Sequence, residues 1–272
     1  MTDTALLAVL LATAAGALAG GAWVAGRRKA GERQRPGFRS SPHYTEGLHC
    51  LATGQLETAI HELGKVLREH PDAVEVLQVQ SHLYREVGKV ERAIEIHRAL
   101  LARQDLTRAE RAYALASLGT DYRKAGMLDR ATQAYGDALD VDPRNVHALA
   151  GRQKLHEDQR QWREAYETQT RLARMRKSDD ALVLGFLQAE MGREALRSGR
   201  RDAAEESFLT ALSLDRRVFP AHLALAELWM ERDPRRAARI LEDAAAAVPE
   251  RAYLAFDALQ KAGEGALRKC PK

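Results

Sequence analysis

Cysteine is nearly absent from this 272-residue chain: Cys50 and Cys270 are the only two, and 220 positions separate them. That excludes a disulfide framework and leaves no pair of Cys-x-x-Cys knuckles to hold a structural metal. Aromatic residues make up 6% of the chain, which suits Ala/Leu-rich helices stacked on one another better than one large core. No segment alternates apolar with polar residues and no Asn-Gly turn occurs, so a sheet is excluded. Catalytic signatures are missing too: there is no phosphate loop, Gly-rich dinucleotide turn, Gly-x-Ser-x-Gly or His-Glu-x-x-His. Glu205/Glu206 and Asp179/Asp180 read as a solvated helix face and a loop. His43, His49 and Cys50 do not share one helix face and lack a fourth ligand. The sequence therefore asks for no enzyme, no metal and no cofactor.

A repeat is present instead. In "LGTDYRKAGMLDRATQAYGDALDVDP" (118–143), small residues stand at Gly119, Gly126, Ala131 and Ala138, aromatics at Tyr122 and Tyr135, and a proline at Pro143. This is the spacing of a tetratricopeptide helix–turn–helix, about 34 residues long. Gly119 and Ala131 fall where two antiparallel helices approach closely, Tyr122 and Tyr135 fill the groove beside them, Gly126 makes the turn and Pro143 stops the second helix. The small residue of the second helix recurs at Ala59, Ala93, Ala131, Ala165, Ala204 and Ala237, in steps of 34, 38, 34, 39 and 33 residues. Gly54, Gly88 and Gly199 repeat the turn mark, while the fourth copy has Arg160 there. The two long steps put extra residues into loops at "ARQDLTRAE" and "RMRKSDDAL". The expected fold is all-α: a right-handed tetratricopeptide superhelical solenoid of about six repeats over 43–250, closed by a capping or incomplete helix over 251–272.

Charge is uneven. The formal net charge is +4, yet residues 27–40 alone carry +5 and residues 41–272 sum to zero. A pI near 9.1 is thus a local feature, and nucleic acid is not an expected partner. Residues 5–26 contain no charge and are long enough for one membrane-spanning helix. Arg27, Arg28 and Lys29 follow at once, so the positive-inside rule predicts a single-pass anchor with the solenoid facing the cytoplasm and a basic juxtamembrane linker over 27–42. A cleaved signal peptide, with "ALA" at 17–19 as the cleavage site, is the competing reading.

By repeat register, the first helices line the concave face and present His82, Arg85, Arg123, Lys124, Lys154, Arg193 and Arg197, with Tyr113 and Trp229 as apolar anchors. A carboxylate-bearing peptide is the natural guest for such a set. His97 stands where Tyr135 and Phe208 stand in other repeats and is expected to be a packed core histidine. Cys50 is expected to be a small buried residue in the first pair.

The apolar start, the basic stop and the repeats around "RAIEIHRALL", "LTRAER" and "LGTDYRKAGMLDRA" together resemble the lipopolysaccharide assembly protein B family, inner-membrane regulators of Gram-negative bacteria. The resemblance implies an adaptor whose protein partners are a membrane-bound ATP-dependent protease, the lipid A deacetylase that it helps to degrade, and an inner-membrane regulator. Members carry a rubredoxin-like metal-binding tail, which "LRKCPK" with Cys270 alone cannot build. The alternative is a scaffold or chaperone for envelope complexes such as pilus, cytochrome or secretion machinery, on either side of the membrane; a third is the regulatory arm of a separate enzyme. The oligomeric state, homodimer included, is left open.

Overall fold

The computed structural model describes residues 37–268, which are helical apart from short turns and loops. They belong to two compact units divided between Gly151 and Arg152. In the first, a 3₁₀ turn at Phe38–Ser40 leads into α1 (Pro42–Ala52), α2 (Leu56–Glu69), α3 (Val74–Glu86), α4 (Val90–Leu101), α5 (Arg108–Lys124) and α6 (Leu128–Val141). The division falls within α7 (Val146–Asp158). The second unit continues with α8 (Trp162–Arg176), α9 (Ala181–Arg197), α10 (Arg201–Leu214), α11 (Phe219–Met230), α12 (Pro234–Ala247), a 3₁₀ turn at Pro249–Ala255 and α13 (Phe256–Arg268).

Five of the six helix pairs among the described residues are closed by one recurring turn. The backbone N–H five residues past the accepting carbonyl bonds back to it at Gln55→Cys50, Lys89→Tyr84 and Met127→Tyr122 (2.8 Å each), at Gln161→His156 (2.8 Å) and at Arg200→Ala195 (2.9 Å). Such a bond caps a helix carboxyl end only if the intervening residue is left-handed. Gly54, Gly88, Gly126 and Gly199 supply φ between 74° and 79°. Arg160 takes the same role at φ 57°, so the fourth pair builds its turn despite the side chain. The last pair turns differently: Asp233 caps α12 by accepting from the amides of Arg235 and Arg236 at 3.1 Å, with Pro234 next in the chain.

Small residues let the helices close. The six alanines from Ala59 to Ala237 that recur in the second helices are all fully buried. Tyr135 and Phe208 are also completely enclosed, and the glycines opposite them exist for their rings. A Cβ at Gly119 would lie 2.7 Å from the Tyr135 ring, one at Gly151 2.3 Å, and one at Gly192 2.6 Å from the Phe208 ring. Gly119 thus makes room for an aromatic ring as well as for a neighbouring helix. Tyr122, by contrast, is only half-buried, with the Arg130 guanidinium 5.8 Å from its ring centre.

The loop before α5 is pinned rather than loose. Arg111 donates to the carbonyls of Leu101 (3.2 Å) and Arg103 (2.9 Å), and Thr107 with Glu110 forms a reciprocal capping box.

The membrane expectation is corrected. Residues 5–26, Arg27, Arg28 and Lys29 lie outside the described residues, and among the described residues no helix is long and apolar enough to cross a membrane. The longest helices among the described residues, α5 and α9, have 17 residues each, and both carry charges, Arg108, Glu110, Arg111 and Asp121 in α5 and Glu190, Arg193 and Glu194 in the second half of α9. The fold class is therefore an all-α tetratricopeptide-like helical solenoid without a transmembrane helix among the described residues. The single-pass inner-membrane placement and the orientation role of Arg27, Arg28 and Lys29 are not carried further.

Candidate functional site

The polar chemistry of the first unit converges on Asp121 in α5, a carboxylate with no exposed surface. Its position follows from the repeat: Gly119 brings α5 close to the Tyr135 ring, and two residues on, the side chain faces the preceding pair. Arg85 of α3 donates Nη1–H to Asp121 Oδ1 at 2.5 Å, and His97 of α4 donates Nδ1–H to Oδ2 at 2.6 Å. The second Arg85 nitrogen, Nη2, donates to His82 Nδ1 at 2.5 Å. His97 Nε2 meets Ser81 Oγ at 3.0 Å. One carboxylate therefore ties three helices, and because each of its oxygens is occupied by a cation or a ring N–H, its burial is compensated.

Around this centre the groups are basic. Burial first, and the Arg85 charge second, hold His82 below the ordinary imidazole value. His147 in α7 stacks on Tyr113 of α5, ring centres 5.3 Å apart and planes 18° from parallel. Burial, then the charges of Arg85, His82 and His97, push His147 down to about 4, and its Nε2 is buried without a hydrogen-bond partner. Burial raises the Tyr135 phenol, whose hydroxyl donates to Thr120 Oγ1 at 3.1 Å, with Arg123 nearby.

The five residues expected to line the first unit's face thus differ in standing. Arg85 is buried, at 9% exposure; His82 and Arg123 are half-buried; Tyr113 and Lys124 are exposed. His147 and Asp121, which no sequence signal marks, join them. In the second unit Lys154 and Arg197 are exposed, and Arg193 is ion-paired with Glu190 one turn away. Trp229 is half-buried, with the Arg236 guanidinium 3.6 Å from its ring centre and its indole N–H donating to Glu205 Oε1 at 3.1 Å. That indole face is already covered.

No cluster of three or more His, Cys, Asp or Glu able to hold a metal exists among the described residues. His43 spends its Nδ1 on Glu62 at 2.8 Å, and Cys50 is buried at 2% exposure. Burial raises the Cys50 thiol, with Glu46 adding to the effect, which is the opposite of an activated nucleophile.

Compared with known proteins, the chain is 26% identical over 209 residues to lipopolysaccharide assembly protein B of Escherichia coli K12, covering 76% of this chain and 54% of that protein. It is 25% identical over 232 residues to the protein of that name from Haemophilus influenzae Rd, covering 81% and 58%. The relationship is distant but broad, and the chain spans about half the length of the curated relatives it matches. No family model matches. Among solved structures, the C-terminal part of a tetratricopeptide-repeat protein from Cytophaga hutchinsonii superposes with a TM-score of 0.56 at 16% identity, over 81% of this chain and 85% of that one. The MamA protein gives 0.50 at 19%, over 64% and 91%. These likenesses speak for the repeat fold alone.

Proposed function

We propose that this chain is a non-catalytic adaptor that restrains lipopolysaccharide biosynthesis, holding protein partners on the first helices of its repeats. The observation that carries the reading is the likeness to lipopolysaccharide assembly protein B across three quarters of the chain, in a fold whose productive surface is a face of aligned helices. The partners are an ATP-dependent protease and the deacetylase that commits carbon to lipid A. Bringing the two onto one chain raises their effective concentration for each other, which is how an adaptor accelerates degradation without chemistry of its own. His82, Tyr113, Arg123 and Lys124 in the first unit, and Lys154, Arg193 and Arg197 in the second, are the residues proposed to touch partners. Arg85 supports His82 from beneath rather than reaching out.

The test is the half-life of the deacetylase in the source cells with the gene present and deleted. A longer half-life on deletion is expected. An unchanged half-life would remove the degradation role and leave a scaffold for other assemblies to be sought.

A further inference from the structure

In the second unit a cation of the chain itself lies on the Trp229 ring. The Arg236 guanidinium stands 3.6 Å from the ring centre, within the range at which an indole face attracts positive charge. Trp229 is a firm platform, because its ring packs against both apolar clusters of the unit. Its N–H donates to Glu205 Oε1 at 3.1 Å, which sets the carboxylate at the edge of the ring. An aromatic face with a carboxylate beside it is the chemistry that selects a guanidinium.

Arg236 fills this place loosely. Its one side-chain hydrogen bond among the described residues runs from Nη2 to Glu205 Oε1 at 3.3 Å, longer than the about 2.7–2.9 Å of a firm charged pair. Oε1 is thus shared by two donors, whereas Oε2 has no partner among the described residues. The Arg236 side chain is 41% exposed and that of Glu205 23%, so solvent reaches both. Arg236 also stands in the first turn of α12, beside Arg235 and with no acidic residue in that turn, where the helix dipole disfavours a cation. Asp233, at the cap, is engaged with the amides of Arg235 and Arg236.

We infer that Trp229 and Glu205 form a receptor for an arginine side chain of a protein partner, and that Arg236 is its built-in competitor. The incoming guanidinium takes the indole face and pairs with Glu205 through both oxygens, which Arg236 does not do. Arg236 swings into solvent, and little is lost because exposed ion pairs are weak. Lysine fits less well, having neither a plane to stack nor a fork to match the carboxylate. The inference rests on the adaptor reading only for the existence of a protein partner. It adds the side chain that this partner presents, and a threshold, since a guest must first displace Arg236.

The test uses the full chain with its three tryptophans isotope-labelled, and follows their indole N–H signals by NMR, that of Trp229 being identified with Trp229→Phe. The probe is the capped peptide Ala-Ala-Gly-Arg-Gly-Ala-Ala, against twins with citrulline or lysine at the centre. The Trp229 signal is expected to shift saturably with the arginine peptide, with a midpoint on the order of 1 mM. The citrulline twin should bind at least about tenfold more weakly and the lysine twin at least about threefold. Arg236→Ser removes the competitor and should tighten the arginine peptide at least about threefold. Glu205→Gln keeps an acceptor for the indole N–H and should erase the preference for arginine over citrulline, with helicity of both variants checked by circular dichroism. Equal affinity for arginine and citrulline in the parent chain, or an Arg236→Ser chain that binds no better, overturns the proposal. So does binding in Arg236→Ser that is absent from the parent, because Arg236 is then a fixed staple. If the deacetylase half-life responds to gene deletion but the arginine peptide fails to bind, the receptor falls and the adaptor stands. Binding with an unchanged half-life does the reverse, keeping the receptor and removing the degradation role.

Discussion

A methyl group at position 151 would meet the Tyr135 ring at 2.3 Å and one at 119 would meet it at 2.7 Å, and the ring, with no exposed surface, cannot step aside. Gly151→Ala and Gly119→Ala are therefore expected to cost about 1–3 kcal/mol each through overpacking. Gly136, in the same helix as Tyr135, has open space where its Cβ would be, so Gly136→Ala should stabilise by about 0.5–1 kcal/mol through helix propensity. Urea midpoints check all three, and a Gly151→Ala chain as stable as the parent would refute the packing account. A second residue-scale consequence comes from His147. Its folded value is about 4 against an ordinary 6.5, so between these values the unfolded chain binds a proton that the folded chain refuses. The stability it permits is full above about pH 6.5 and drains as pH falls toward 4, by at most ~3 kcal/mol. His82 and His222, also held low chiefly by burial, act in the same direction. Urea midpoints at pH 7.5 and 5.0 should fall with pH, and less steeply in His147→Gln; a flat profile in the parent chain counts against the buried neutral ring.

At the scale of elements, α3, α4 and α5 are joined by the pairs that Asp121 makes with Arg85 and His97. Breaking a buried pair from one side strands the other charge, so Asp121→Ala is expected to cost about 3–5 kcal/mol. Replacing Arg85 and Asp121 together by leucine should cost less than the sum of the two single changes, and additivity in the double-mutant cycle would show that the groups act separately. The same helices show what can be read in advance. The turn glycines and the recurring alanines declare themselves because a left-handed residue and a close crossing each admit few side chains. Arg85 misleads: its register position points to solvent in a generic repeat, but Asp121 stands opposite it 36 residues later, and no local pattern encodes a pairing at that range. His147 is invisible for the same reason, since its isolation depends on neighbours from three other helices. Arg160 has the look of a defect in the fourth repeat; it is a left-handed residue whose strain the turn's hydrogen bond helps to hold.

For the molecule as a whole, each unit is sustained by helix packing, the first around Leu63, Val76 and Leu83, the second around Phe208, Val218 and Leu225, and around Phe219 and Leu241. Two cysteines in the entire chain leave no thiolate cage to contribute, so a strong chelator is expected to leave the thermal midpoint unchanged; a drop of several degrees would reveal a metal that packing alone does not account for. The wedge of Tyr135 between Gly119 and Gly151 carries a further consequence for how such a chain drifts over generations. A larger residue can be accepted at 119 or 151 only after the ring at 135 has shrunk, and a smaller residue at 135 leaves a hole that rewards enlargement of its neighbours. The three codons are thus bound to change in company or stay still, so in any lineage of this chain substitutions at these positions should be inherited as linked sets.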